Sequence, residues 1–149
     1  MNTQWEHFVG SAERPAGIVV CTNESDEFLI IRRSGVDERE GQWTIPGGHI
    51  DKNDSSIEDG AIRELKEETN LVCSTSDLVF LGEPLPQKYY FIAKKWSGKI
   101  KIDIPNPKTG EIEHDDYRWA SINDIKDIED SEIPIYLLEK ALDVLKNAK

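Results

Sequence analysis

The stretch that decides both fold and site is Arg63-Glu64-Leu65-Lys66-Glu67-Glu68-Thr69-Asn70-Leu71, with Trp43-Thr44-Ile45-Pro46-Gly47-Gly48 upstream of it. An α-helix repeats every 3.6 residues, so Glu64, Glu67 and Glu68 project from one face of a helix. Three like charges on one stripe repel one another and destabilise an isolated helix. Carboxylate oxygens suit Mg²⁺ or Mn²⁺, and binding such a cation is the best reason to keep the three acids together. The stretch therefore predicts a metal site on a helix.

The helix that carries these acids has start and stop signals. Ser56, with Asp59 three positions later, resembles a capping box, and Asn70 suits a left-handed cap. On a helical wheel, one face away from the glutamates carries Ala61, Ile62, Leu65 and Thr69. The pattern predicts a helix over residues 56–69 that buries one side and presents its carboxylates from another.

The rest of the chain combines strand signals, turns and one further long helix. Runs of β-branched and aromatic residues predict strands, and the turn at residues 23–27 predicts a hairpin between the first two. Pro46-Gly47-Gly48 is expected to end the third strand. The predicted strands are residues 16–22, 28–32, 43–45, 78–81, 89–93, 99–104 and 116–120. A helical turn near residues 122–128 and an amphipathic helix over residues 134–146 complete an α/β fold, in which helices flank a mixed β-sheet.

Length and composition indicate one domain, residues 1–149. Hydrophobic residues make up 38% and charged residues 32% of the chain, a balance typical of soluble globular proteins. No apolar run approaches the roughly 18 residues that span a bilayer, and residues 1–6 have no signal-peptide character. We therefore expect a cytoplasmic protein without a membrane partner, in which Cys21 and Cys73 are buried free thiols.

The charge balance limits the partners. The formal net charge is −11, from 18 basic and 29 acidic side chains. Such a surface repels nucleic-acid phosphates, so we expect no nucleic-acid partner. It also repels small anions unless a bound cation and local arginines reverse the field, and the predicted metal site meets that requirement.

Gly48 followed by residues 63–71 resembles the Nudix box, whose pattern is Gx5Ex7REUxEExGU with U an aliphatic residue. The resemblance extends over about residues 14–145, with its specificity concentrated in the box. Two departures are visible. The loop carries one extra residue, so the first glutamate of the pattern is replaced by Asp54 or Ser55. Asn70 stands where glycine is usual, and asparagine is the next-best residue for a left-handed conformation.

The resemblance implies a Nudix-type α/β/α sandwich and hydrolysis of a nucleoside diphosphate linked to another moiety, with Mg²⁺ or Mn²⁺ as cofactor. It implies that Glu64 and Glu68 are the main metal ligands, with Glu67 sharing a cation or ordering its waters. The Gly47 carbonyl is expected to add an oxygen, because glycine permits close backbone approach. The replaced glutamate leaves the number of metal ions open.

The catalytic candidates follow from the same resemblance. Arg63 stands four residues before Glu67 and is expected to orient the acidic cluster, although an ordinary exposed helix pair has the same spacing. Family members use either a box glutamate or an acidic residue on a later loop as general base. Glu113 is the first candidate here, with Glu67 and Asp116 behind it, and His114 is interpreted as a surface neighbour.

Phosphate and base contacts are expected from strand residues near the box. Arg33, or its neighbour Arg32, ends a strand and is suited to clamp phosphate oxygens. Trp43, Tyr89 and Tyr90 are candidates for stacking on a base, although aromatic side chains in strands are more often core. The predicted substrate-binding residues are Arg33 or Arg32, Trp43, Gly48 and Tyr89.

Several alternatives stay open. Pro86 favours an ADP-ribose-type substrate and Tyr89 a dinucleoside polyphosphate, while nucleotide sugars and dNTPs, including oxidised ones, fit the same chemistry. The rival hypothesis is a nucleotide-binding module that kept the fold and lost catalysis, motivated by the replaced glutamate. An isomerase on this fold ranks last because no well-placed catalytic cysteine is evident. The sequence allows a monomer or a homodimer.

Overall fold

The computed structural model describes residues 14–35, 39–128, 131 and 133–148; residues 1–6 therefore lie outside it. Within these ranges the chain forms strands and helices in the following order: β1 (Ala16–Val20), β2 (Phe28–Arg33), β3 (Trp43–Thr44), β4 (Gly47–His49), α1 (Ile57–Thr69), β5 (Leu78–Leu85), β6 (Lys88–Ala93), β7 (His114–Ala120), α2 (Ile122–Lys126) and α3 (Ile135–Asn147). A short 3₁₀ turn at Thr75–Asp77 leads into β5.

The strands form two sheets. The first has the order β4-β1-β6-β5, in which β1 and β6 are parallel and the other pairs antiparallel. The second is antiparallel, with the order β3-β2-β7. The predicted hairpin of the first two strands forms only at its turn, where the Asn23 N–H donates to the Glu27 carbonyl at 3.0 Å. β1 and β2 themselves do not pair, because β4 and β6 occupy both edges of β1. An isolated bridge between Thr22 and Phe28 marks the passage of the chain from one sheet to the other.

The sheets separate two apolar clusters, as expected for an α/β/α sandwich. Alternate residues along β1 face opposite sides. Ile18 and Val20 face one side, and Val19 faces the other together with Cys21, which directly follows the strand. The cluster under α1, the α1 core, contains Val19, Cys21, Leu29, Ile50, Ile57, Ala61, Leu65, Leu71, Cys73, Phe91 and Ala93. The cluster under α3, the α3 core, is built around Ile18, Val20, Phe28, Ile30, Tyr90, Ile92, Leu137, Leu138 and Ala141. Both cysteines are buried and free, which confirms that prediction.

α1 begins and ends where the sequence predicts. The Ser56 side chain accepts the Asp59 N–H at 3.0 Å. Asn70 adopts φ 68° and donates its N–H to the Lys66 carbonyl at 2.9 Å. Ala61, Leu65 and Thr69 are buried, so the apolar face packs against β1 and leaves the acidic face for the site.

One predicted strand is absent, and one strand was not predicted. Residues 99–104 contain no regular secondary structure. Of their alternating isoleucines, Ile100 packs against the α1 core, and Ile102 and Ile104 lie beside the glutamates of α1. β3 ends before Pro46, as predicted, but Gly47–His49 forms a further strand that pairs with β1. A side chain at residue 47 would lie 2.6 Å from the Gly17 carbonyl, so glycine allows this close pairing. No helix in the described part of the chain is long and apolar enough to cross a membrane.

Candidate functional site

The acidic face of α1 borders two neighbouring spaces. One is a cleft of about 770 Å³ that crosses the first sheet. The other is a hollow of about 10 Å³, room for about one water molecule. The hollow is lined by Glu64, Glu67, Glu68, Ile102, Ile104, Asn106, Pro107, Glu113 and His114. The glutamates of α1 thus meet Glu113, the candidate general base, at a single place.

Glu68 lies at the inner end of this cluster, with a side chain 13% exposed. Its Oε1 accepts the Gly47 N–H at 2.8 Å, and its Oε2 lies 3.9 Å from His114 Nε2. Burial raises the pKa of Glu68 well above its ordinary value, and the Glu64 charge raises it further. The Gly47 amide and the Arg33 guanidinium oppose this shift. The contact found at Gly47 uses its amide, and ligation through its carbonyl stays a prediction.

Glu64 is held against the backbone of Gly48. A Cβ placed on Gly48 would lie 2.5 Å from the Glu64 carboxyl carbon, so any side chain there would displace this acid. Burial raises the pKa of Glu64 to about 7; Arg63 lowers it, and Glu67 and Glu113 raise it. The missing side chain of Gly48 therefore leaves room for the Glu64 carboxylate, whose charge is disfavoured by burial.

Arg63 organises the cluster through several hydrogen bonds. Its Nε and Nη2 donate to Asp54 Oδ1 and Oδ2, each at 2.9 Å. Its Nη1 donates to Glu64 Oε1 at 3.1 Å and to Glu67 Oε2 at 3.0 Å. Nη2 also donates to the His49 carbonyl at 3.1 Å. A guanidinium shared among three carboxylates is more than an exposed helix pair, and Asp54 first of all raises its pKa.

Asp54, rather than Ser55, takes up the position that the departure from the box left open. Its side chain is 8% exposed, and its Oδ2 also accepts the Asp51 N–H at 2.7 Å. A Cβ on Gly60 would lie 2.8 Å from Asp54 Oδ2 and 2.5 Å from Ile50 Cδ1. Gly60 therefore makes room for this carboxylate. A shorter acid on a longer loop reaches Arg63.

The cluster has the donor chemistry of a site for a hard cation. Four carboxylates line the hollow, and burial and mutual repulsion raise the pKa of two of them. A divalent cation would relieve both effects. Within the described ranges, no three acidic, histidine or cysteine side chains are arranged to hold a metal ion as they stand. The oxygen donors of these residues suit a divalent cation. In the structure, the Arg63 guanidinium provides the positive charge beside two of them, Glu64 and Glu67.

Cations line the remainder of the cleft, although the chain carries a net charge of −11. They are Arg14, Arg33, Arg39, Lys88 and Lys108. Lys108 Nζ lies 3.3 Å from Asp51 Oδ2, and the charge of Arg33 lowers the pKa of Glu68. Away from the glutamates, the lining of the cleft is thus basic, which favours the binding of anions there.

Three predicted substrate-binding residues are not among the described residues that line the cleft. Arg32 Nε donates to Asp115 Oδ1 at 2.8 Å, and its guanidinium lies 5.7 Å from the centre of the Trp43 ring. Trp43 packs against the α3 core, and Tyr89 packs against the α1 core. Arg33, Gly48 and Tyr90 do line the cleft.

His114 is a site residue for which the sequence pattern offers no clear signal. It is 4% exposed, so its interpretation as a surface neighbour is wrong. It begins β7 opposite Arg33 on β2, and this pairing carries it into the hollow. Asp116, two residues later, is exposed. Neither position follows from the local pattern, because β-strand register is set by a partner strand far away in the chain.

The family model of the NUDIX domain matches residues 12–140. The chain belongs to the Nudix family. This Nudix chain is 30% identical over 129 residues to the RNA pyrophosphohydrolase of a Nitratiruptor species, covering 74% of this chain and 77% of that protein. It is 30% identical over 86 residues to an 8-oxo-dGDP phosphatase of Homo sapiens, covering 56% of this chain and 26% of that protein.

Solved Nudix structures share the architecture. The MutT protein from Methanosarcina mazei Go1 has a TM-score of 0.61 and 25% identity, covering 93% of this chain and 100% of that chain. Among the curated relatives, the aligned part makes up 26% to 31% of the full length of four proteins, the human phosphatase included. The chain thus spans about a quarter to a third of those relatives.

Proposed function

We propose that this chain hydrolyses a pyrophosphate bond in a nucleoside diphosphate linked to another moiety, with Mg²⁺ or Mn²⁺ as cofactor. The proposal rests on one observation: a cluster of carboxylates lies directly beside a group of basic side chains. Four carboxylates line the hollow, and five further basic residues line the adjoining cleft. A pyrophosphate needs both, because a cation bound by the acids and the basic side chains together neutralise its charge.

The metal ligands in this proposal are Glu64 and Glu68, with Glu67 sharing the ion or ordering its waters and the Gly47 carbonyl adding an oxygen. When bound, a divalent cation would neutralise phosphate charge and lower the pKa of a bound water. Arg63 holds Glu64 and Glu67 in place, and Asp54 fixes Arg63 in turn.

Glu113 is the proposed general base. Its Oε1 accepts a hydrogen bond from Asn106 Nδ2 at 2.9 Å, which fixes the carboxylate at the hollow. It would take the proton of the attacking water as the new phosphorus–oxygen bond forms and the bond to the leaving phosphate breaks. Glu67 is the second candidate. Asp116 is set aside because it is exposed and does not line the hollow.

Arg33 is the proposed phosphate clamp. It lines the cleft close enough to Glu68 for its charge to lower the pKa of that acid. An arginine that lines the cleft beside the proposed metal ligands is placed to bind phosphate oxygens that also face the cation. Arg32, bound to Asp115 and stacked near Trp43, is not assigned to substrate.

The named relatives widen the choice of substrate rather than narrow it. One is called an RNA pyrophosphohydrolase and another an 8-oxo-dGDP phosphatase. The net charge of −11 still leads us to expect a small nucleotide rather than a nucleic acid. We further propose a single domain, a cytoplasmic location, and a monomer or homodimer.

The test is turnover of a substrate panel by the purified chain, with and without Mg²⁺ or Mn²⁺. The panel contains ADP-ribose, dinucleoside polyphosphates, nucleotide sugars, dNTPs, 8-oxo-dGDP and a short 5′-triphosphorylated RNA. We expect metal-dependent release of a nucleoside phosphate from at least one small nucleotide. If every compound stays intact with either ion, the nucleotide-binding module becomes the better account of the site.

A further inference from the structure

The floor of the cleft is formed by cross-strand rows of the first sheet. One row runs His49 on β4, Ala16 on β1, Lys88 on β6 and Leu85 on β5, each paired with the next. All four residues line the cleft. Neighbouring strands lie about 4.8 Å apart, so this row spans about 14 Å from His49 to Leu85. The cleft therefore has two ends, one at the acids of α1 and one at β5.

The two ends differ in chemistry. At β4, Gly48 contacts Glu64 and the Gly47 amide binds Glu68. At the other end, the lining consists of Pro84 and Leu85 from β5 and of Pro134 and Tyr136 from the start of α3. We name these four residues the apolar end. Between the two ends, Lys88 contributes positive charge to the lining, and Arg14 adds a further charge near β4, where its Nη2 donates to the Ile50 carbonyl at 2.6 Å. A ligand whose phosphates lie at the acids would carry its uncharged part toward the apolar end.

The apolar end has exposed side chains that face the cleft. Leu85 is 55% and Tyr136 60% exposed. The first turn of α3 is held beside β5, because Lys140 Nζ donates to the Leu81 carbonyl at 2.7 Å and Leu137 is buried in the α3 core. Helix and strand thus place an aromatic ring and an aliphatic side chain at the same end of the cleft.

We propose that the apolar end binds the planar base of the nucleotide, with Tyr136 providing the stacking surface. The inference rests on the proposed function for the position of the phosphates. A flat heteroaromatic ring is the occupant that matches both the apolar lining and the positive charge leading to it. Tyr136 was not singled out by the sequence, because one tyrosine at the start of an amphipathic helix has no distinguishing pattern.

The test compares ligands that differ by the base alone. Binding of AMP, GMP and CMP is measured against ribose 5-phosphate by equilibrium dialysis in the presence of Mg²⁺. None of these compounds contains a pyrophosphate bond, so no turnover is required. We expect the wild type to bind at least one nucleotide more tightly than ribose 5-phosphate. In Tyr136→Ala that nucleotide should bind at least about fivefold more weakly, the lower range for loss of a base–aromatic stack. Ribose 5-phosphate should bind as before.

Two variants separate stacking from a general disturbance. Tyr136→Phe keeps the ring and should bind nucleotides within about twofold of the wild type. Tyr117→Ala removes another exposed tyrosine (41% exposed), which lies outside the cleft lining, and should change nothing. Equal losses for nucleotide and ribose 5-phosphate in Tyr136→Ala, or no loss, would overturn the inference. So would a wild type that does not distinguish the two ligands.

The kinetic readout distinguishes this inference from the proposed function. With the best substrate of the panel, Tyr136→Ala should raise KM at least about fivefold, as for the binding of the nucleotide. It should leave kcat unchanged, because the base is remote from the reacting phosphorus. Turnover without an effect of Tyr136→Ala on KM rejects the base site and keeps the enzyme. Base-dependent binding without any turnover rejects the enzyme and keeps the base site.

Discussion

The helices α1 and α3 are each 13 residues long and pack on opposite sides of the sheets, yet they use their polar faces differently. The polar face of α3 carries charges such as Glu139, Asp143 and Lys146 that are exposed to water. That of α1 carries like charges into a half-buried cluster that Arg63 holds together. Charges that are only solvated need no partners. The partners around α1 indicate that its acids are kept for a ligand.

The ends of the two helices differ in the same sense. α1 has a side-chain cap at Ser56 and a left-handed cap at Asn70, whereas α3 starts after Pro134 without a side-chain cap. Both helices bury a stripe in a core, so both contribute to stability. Only α1 also has to keep its rotation and register fixed at both ends, as a site needs and a covering helix does not.

The sharpest test of this comparison is the same substitution on both helices. Glu68→Gln should reduce turnover by at least about a hundredfold, since it removes a charge at the proposed metal site. Glu139→Gln on α3 should keep wild-type activity. Because the Glu68 charge is buried beside Glu64, Glu68→Gln should unfold no more easily than the wild type without metal. Steady-state kinetics measure the turnover, and thermal unfolding measures the stability. Full activity of Glu68→Gln would refute the assignment of Glu68 as a metal ligand.

Core truncation tests whether the two helices are equivalent in stability. Leu65 on α1 and Leu138 on α3 are both fully buried. Each leucine-to-alanine change should lower the free energy of unfolding by about 2–5 kcal/mol, from lost burial and the remaining cavity. Urea unfolding measures this. At a temperature where both variants are folded, Leu65→Ala should lose more turnover, and an equal loss in both would show that the helices do not differ functionally.

The acid that replaces the glutamate of the box comes next. Asp54→Asn keeps the shape but removes the charge that holds Arg63, so turnover should fall about 10- to 100-fold, as for other residues that orient metal ligands. The matched control on α3 is Asp143→Asn, which should have no effect. In an Arg63→Ala background, Asp54→Asn should add little, because the two residues act as one unit. Independent, multiplicative losses would show that Asp54 does not act through Arg63.

The smallest effect is expected at the end of α1. Asn70 has φ 68°, where a Cβ is unfavourable, so Asn70→Ala should destabilise the fold by about 1–2 kcal/mol. The free energy of unfolding of Asn70→Gly should stay within about 0.5 kcal/mol of the wild type. Glycine adopts a positive φ without strain, and this gain offsets the lost hydrogen bond from Asn70 Nδ2 to the Lys99 carbonyl. Ala148, the corresponding cap of α3, has φ −84°. Ala148→Gly should give no stabilisation in thermal unfolding, and a gain there would contradict the assignment.

Much of the fold was predictable where local signals decide. The bounds of α1, its buried face and the amphipathic α3 follow from spacing and caps, and the structure agrees. The hairpin of the first two strands extends no further than its turn, and residues 99–104 do not form the predicted strand. Strand pairing depends on partners far away in the chain, which local patterns do not show. For the site, the sequence predicted the glutamates, Arg63 and Glu113. It did not predict the burial of His114 or the contribution of Lys88, which other strands place.

The sequence by itself determined the helix, its two faces and the grouping of three glutamates with an arginine, because a 3.6-residue period is local chemistry. It also determined the family, through the spacing of the box. The tertiary structure decided what those glutamates meet: the Gly47 amide, the shorter Asp54 on its longer loop, and Glu113 with His114 from the start of β7. These contacts join residues far apart in the chain. They exist only because strands of both sheets share the two cores, and because Gly17 and Gly48 leave room for α1 to come close.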